Sequence, residues 1–194
     1  MSLKECVNSI LIVSSSKNFN TSFLSLLPKN KYSPVAIATS VTHARQQLTD
    51  TAYDFVIINS PLPDDFGRNL AIELSYMEKT VILLLVKNDL YDETFAKVSE
   101  HGVLTLQKPL SKPTVLQALD WMCTIKKRLE KAETKTLNLE KRMSEIRLVN
   151  RAKWLLIEHQ SMSENDAHKY LEKQAMDLCT SKKEIAEKII DHYA

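Results

Sequence analysis

The sequence predicts an α/β fold: a doubly wound five-stranded parallel sheet, then a long coiled-coil helix and a small all-α three-helix bundle. Three observations carry this. Five short apolar runs punctuate the first 120 residues, no helix breaker interrupts the chain from Ser111 to about Gln160, and two serine-headed helical patterns close it. The boundaries that follow are 1–120 for the sheet domain, 121–145 for the coiled-coil helix and 146–194 for the bundle.

The apolar runs are Ile10–Val13, Val35–Ala38, Phe55–Ile58, Val81–Val86 and Val103–Leu106. Each is short, rich in β-branched residues and apolar throughout, as a strand covered on both faces requires. Helical spacing fills the gaps, as in Thr42–Leu48, with Ser40 as its N-cap, and Asn69–Met77. Strands alternating with helices imply a parallel sheet with helices on both sides.

Ser111-Lys112-Pro113 opens the long helix, with proline in the first turn, where its missing N–H costs little. Ala118, Met122, Ile125, Leu129, Ala132, Thr136, Leu139, Met143, Ile146 and Asn150 then recur at spacings of 4 and 3, a heptad seam flanked by charge. The seam predicts a homodimer through a coiled coil; the competing reading is one long helix packed on its own domain.

Ser163-Glu164-Asn165-Asp166 and Ser181-Lys182-Lys183-Glu184 each place a hydroxyl three residues before a carboxylate, a capping box. Ala167, Tyr170, Leu171 and Ala175 form one apolar stripe, and Ile185, Ile189 and Tyr193 another. Two such short helices need a partner, and Trp154 to Ile157 at the end of the long helix supply it. Trp154 is therefore expected in the core, with stacking on an unpaired base as the alternative.

Composition narrows the function. The 194 residues are 44% apolar and 26% charged, with a net charge of +2, too small for a general polyanion binder. Only 2 glycines occur, against a usual share of about 7%, which argues against a glycine-rich phosphate loop. Cys6, Cys123 and Cys179 are scattered, as in a reducing cytosol. No apolar run is long enough for a signal peptide or a membrane span, so a cytoplasmic protein without membrane contact is expected. Nucleophile–base pairs, metal clusters and cofactor motifs are not visible, and neither an enzyme nor a cofactor is expected.

Asn59-Ser60-Pro61-Leu62-Pro63-Asp64-Asp65-Phe66-Gly67 and Lys108-Pro109 give residues 8–122 a resemblance to the receiver domains of two-component response regulators. In that family the position of Asn59 is a phosphorylated Asp, those of Ser14 and Ser15 are an acidic pair that holds Mg²⁺, and Lys108 reads the phosphoryl group. A neutral carboxamide is a poor nucleophile, and two hydroxyls replace two carboxylates weakly around a hard dication. The switch aromatic of the family is Thr105 here. The departures imply a pseudo-receiver in which Lys108 hydrogen-bonds Asn59 or a nearby carbonyl, with control by a regulatory protein or a small ligand on the sheet domain. Asp64 and Asp65 are expected on the loop beyond the acceptor position.

Ala152-Lys153, Ser163-Glu164 with Ala167, Ala175-Met176 and Glu184-Ile185-Ala186, in this order, resemble the ANTAR family over residues 140–192. That resemblance implies binding to leader-transcript stem-loops and transcription antitermination. Such a surface needs cations that track phosphates and side chains that read loop bases. Arg151, Lys153, His168, Lys169, Lys173 and Lys182 are the expected RNA-binding residues; Arg147 and Lys183 add charge nearby. Two rivals remain: a DNA-binding factor whose recognition helix opens at Thr180-Ser181, and a dimeric scaffold that binds no nucleic acid.

Overall fold

The computed structural model describes residues 7–77 and 79–193. Cys6 lies outside them; Cys123 and Cys179 are free thiols. The chain divides into two compact units, Met1–Lys131 and Ala132–Ala194.

The first unit is built on β1 (Asn8–Val13), β2 (Tyr32–Ala38), β3 (Phe55–Asn59), β4 (Val81–Lys87) and β5 (Leu104–Lys108). All four pairings are parallel, and the strand order is β2-β1-β3-β4-β5. The period of two sorts each apolar run between two cores. Leu11, Val13, Val56, Ile58, Ile82 and Leu84 face α2 (Val41–Asp50), α3 (Arg68–Ser75) and α4 (Tyr91–Val98). Ile10, Ile12, Phe55, Ile57, Leu83 and Leu85 face α1 (Lys17–Leu24) and the start of α5 (Lys112–Gln160). Ser40 caps α2, accepting from the His43 N–H at 3.1 Å. Strand β2 starts three residues before its apolar run, at Tyr32. Pro34 hid that start, but an edge strand tolerates a missing N–H.

Helix α5 has 49 residues and runs through both units. Its beginning corrects the seam expectation. Ala118 and Met122 have no exposed surface and Ile125 is half-buried, all three within the core under the sheet. The sheet needs a cover on that face, and these heptad positions supply it instead of facing a second copy. Leu129, Leu139, Met143 and Ile146 are exposed.

Asp54, just before β3, ties this helix to the sheet. Its carboxylate accepts from the Ser9 N–H at 2.7 Å and the Ser9 hydroxyl at 3.0 Å, and pairs with Lys126 of α5 at 2.7 Å. Burial alone would raise the Asp54 pKa, but the bonds from Lys126 and Ser9 outweigh it and hold it below its ordinary 3.8. A depressed carboxylate stabilises the fold fully above its ordinary pKa and loses that contribution as pH falls through the folded value. Asp54→Asn is thus expected to lower stability by about 1.5–3 kcal/mol at pH 7, the range for hydrogen bonds to a charged group. Urea unfolding of the two proteins should converge once the pH drops well below 3.8.

The second unit packs the end of α5 with α6 (Glu164–Asp177) and α7 (Lys182–Tyr193). Its core is Ala152, Leu156, Ala167, Leu171, Ala175, Ile185 and Ala186. Four of the seven are alanine, which lets the helix axes approach closely. Ser163 and Ser181 accept from the Asp166 and Glu184 N–H groups, both at 3.2 Å. Helix α6 ends with Cys179 left-handed (φ 49), and the Thr180 and Cys179 N–H groups close back on Ala175 and Met176.

Candidate functional site

Two groups of polar side chains stand out, one in each unit. The first lies where the strand order reverses, at the C-terminal ends of β1 and β3, the usual place for a ligand crevice in a doubly wound sheet. Asn59 Nδ2 donates to Ser14 Oγ at 3.0 Å, and Lys108 Nζ donates to Asn59 Oδ1 at 3.0 Å and to the Ser60 carbonyl. Ser14 Oγ also accepts from the Ser16 N–H at 3.3 Å. Ser14 and Asn59 are buried, and Ser15 beside them is exposed. Burial pushes the Lys108 ammonium below its ordinary range, and Lys87 adds to the push.

The carboxamide suits this arrangement because it donates on one side and accepts on the other. This donor set does not fit Mg²⁺. Ser14 Oγ is occupied by two N–H donors, and an ammonium rests on the oxygen that a dication would seek. Asp64 and Asp65 lie on the loop after β3 and serve the fold. Asp64 accepts from the Val41 and Thr42 N–H groups at 2.9 Å each, which holds its carboxyl below the ordinary range. Asp65 accepts from the Gly67 N–H at 2.6 Å. Beside this pocket a cleft of about 520 Å³ opens between α1 and the start of α5, with Phe19, Phe23, Leu26, Lys108 and Lys112 in its wall.

The second group lines a cleft of about 400 Å³ in the C-terminal unit. Arg142, Ile146, Val149, Asn150 and Lys153 come from α5, His168 from α6, and Ser181, Lys182 and Lys183 from the start of α7. Arg142, Ile146, Val149 and Lys153 follow at spacings of 4, 3 and 4, one face of the helix. The floor is apolar, and the rim carries Arg142, Lys153, Lys182 and Lys183 together with the acidic Glu145. Carboxylates temper the rim: Lys153 pairs with Glu164 at 3.2 Å, Lys182 with Glu172 at 2.5 Å and Lys183 with Glu187 at 3.7 Å. His168 Nε2 lies 3.3 Å from the same Glu172 oxygen that Lys182 meets.

Residues 137–190 match the ANTAR domain family. The C-terminal unit carries an ANTAR domain. The transcriptional regulatory protein PdtaR of Mycobacterium tuberculosis is 27% identical over 138 residues, covering 71% of this chain and 67% of that protein. The aliphatic amidase regulator of Pseudomonas aeruginosa is 36% identical over 76 residues, 39% of this chain and 38% of its own. The sheet unit has a receiver-like fold. It is similar to the signal receiver domain of an HD-domain protein from Pseudomonas fluorescens Pf-5 (TM-score 0.57, 24% identity, 69% of this chain and 96% of that one). Chemotaxis response regulator CheY4 of Vibrio cholerae is a second solved likeness (TM-score 0.52, 20% identity, 60% and 99%).

Within the ANTAR unit, Lys153, His168 and Lys182 meet at one cleft, while Arg151, Lys169 and Lys173 are exposed outside it. Arg142, Glu145, Asn150 and Lys183 also line it. The spacing from Arg142 to Lys153 is the sequence signal for Arg142; Ile146 and Asn150 fall on the heptad spacing, which points to a helix partner and not to a cleft. Trp154 corrects a further expectation. It is 70% exposed, because Ala152 and Leu156 on the neighbouring face fill the space under α6 and α7. Among the described residues no helix is long and apolar enough to cross a membrane, and no cluster of metal-ligating side chains forms.

Proposed function

We propose that this protein is an RNA-binding regulator of transcription antitermination that works through the ANTAR cleft and without phosphoryl chemistry. The observation that carries the reading is the cleft itself. Cations from α5 and α7 and the His168 imidazole of α6 converge on an apolar floor, with exposed Trp154 on α5 as well. Phosphates on the rim and an unpaired base against an apolar surface are what a hairpin loop offers. The names of the two relatives, a transcriptional regulatory protein and an amidase regulator, agree with a regulatory role. In the receiver-like unit the Ser14–Asn59–Lys108 chain supports a pocket that keeps its geometry and has given up its chemistry. Control then falls to a regulatory protein or a small ligand on the sheet domain.

Gel shifts of the full chain on a leader hairpin and on duplex DNA of equal length test the reading. The hairpin should bind at least about tenfold more tightly at physiological salt, a difference of about 1.4 kcal/mol. Preference for the duplex would favour the DNA-binding rival, and no binding to either would favour a scaffold. Incubation with a small phosphodonor and Mg²⁺ should leave the mass of the chain unchanged; gain of one phosphoryl group on the sheet unit would refute the pseudo-receiver.

The exposed residues Leu129, Leu139 and Met143 support a homodimer through a coiled coil over 121–145. Leu139→Glu should convert a dimeric mass in sedimentation equilibrium into a monomeric one. A wild type that sediments as a monomer would remove the dimer from the proposal.

A further inference from the structure

We propose that Glu172 is an internal competitor for the RNA phosphate on Lys182 and His168, and that it sets how strongly the ANTAR cleft discriminates a cognate hairpin from other nucleic acid. The inference rests on the RNA-binding reading above and assigns a selectivity role to a residue outside the cleft lining. One oxygen of Glu172 reaches both Lys182 at 2.5 Å and His168 at 3.3 Å, so it spans the α6 and α7 sides of the cleft. The lysine and the imidazole hold this carboxylate below its ordinary pKa range, Lys182 most strongly. Glu172 is thus the anion that already occupies these two donors.

An arriving phosphate must displace it. The gain is then one anion exchanged for another, and the released carboxylate takes up a cation from solution. That uptake offsets the counterion that the nucleic acid releases at this contact, so the contact adds little to non-specific affinity. A hairpin that also fills the apolar floor and meets Arg142 and Lys153 can meet this cost. An arbitrary strand, held by phosphates alone, cannot.

Glu172→Gln keeps the side-chain shape and an oxygen acceptor for Lys182 while removing the charge. Its affinity for unrelated single-stranded RNA should rise about fivefold, the equivalent of an exposed ion pair at the upper end of its range. The salt dependence should steepen by about 0.7 in log–log slope, one additional net counterion released. Hairpin affinity should rise by less, so discrimination falls. Lys182→Gln, which breaks the same contact from the other side, should weaken binding of both RNAs while shifting thermal stability as Glu172→Gln does. A structural clamp alone would make the two variants behave alike in binding. If the wild type binds the hairpin and Glu172→Gln changes neither the affinity for unrelated RNA nor the salt slope, this proposal is overturned and the function stands. If wild type and variant both fail to bind the hairpin at low salt, the RNA-binding reading falls and takes this inference with it.

Discussion

Neutralising Lys153, Lys182 and Lys183 together by glutamine is expected to weaken hairpin binding about a hundredfold at physiological salt, a loss of about 2.7 kcal/mol. The three ammonium groups rim one cleft, so a bound hairpin would lose three phosphate contacts at once. The log–log salt slope should become shallower by about 1.4, the share of Lys153 and Lys183 in contacts to a single-stranded loop, because Glu172 offsets the counterion released at Lys182. Glutamine and lysine have nearly equal helix propensity, so the helices should survive. The bundle core contains none of the three. Lys169→Gln with Lys173→Gln is the informative comparison. These two are exposed and outside the cleft, and their removal should cost only a few-fold, as for peripheral charge. Equal losses from both variants would show a diffuse basic surface and would sink the cleft as the site. Circular dichroism of each variant separates lost contacts from lost helices.

The contrast between these variants shows where sequence reasoning stopped. Lys169 and Lys173 are four apart and share a helical face, a relation visible in one dimension. Which face points to the cleft depends on how three helices pack, and that is decided by Ala167, Leu171 and Ala175 on α6 against Ala152 and Leu156 on α5. The fold itself was legible because burial on both faces forces continuous apolar runs, and capping serines sit where helices begin. The receiver-like pocket was legible through Asn59 and Lys108, since the ends of β3 and β5 bring them together in this topology. The dual use of α5 was not. A heptad spacing of 4 and 3 serves equally to cover a sheet and to meet a second helix, and only the fold shows that Ala118 and Met122 do the former. Trp154 misled for the opposite reason: a large aromatic suggests a core, but four small alanines close this bundle and leave it no room.

Gly67→Ala is expected to destabilise the receiver-like unit strongly while leaving the pocket's polar residues in place. Gly67 has φ +76, and a Cβ there would sit 2.6 Å from Ile58 Cγ2 and 3.4 Å from Leu62 Cδ1. Left-handed backbone costs an L-residue roughly 1–2 kcal/mol. The contact adds more, because Ile58 is fully buried in β3 and cannot withdraw without disturbing its core. Overpacking of this kind costs typically 1–3 kcal/mol, for a sum of about 2–5 kcal/mol. Gly102 isolates the backbone share: it has φ +72, yet nothing lies within 4 Å of a Cβ built there. Gly102→Ala should therefore lose only about 1–2 kcal/mol. Urea unfolding of the full chain, followed by probes in each unit, would measure both. Equal losses for the two variants would mean that Ile58 yields easily and that the close approach is not needed. A larger loss at Gly67 would show that packing holds the loop carrying Asp64 and Asp65 in shape beside Asn59. In that case the loop is held by the packing of Gly67 on β3 and by the Asp64 bonds to α2, neither of which depends on phosphoryl chemistry.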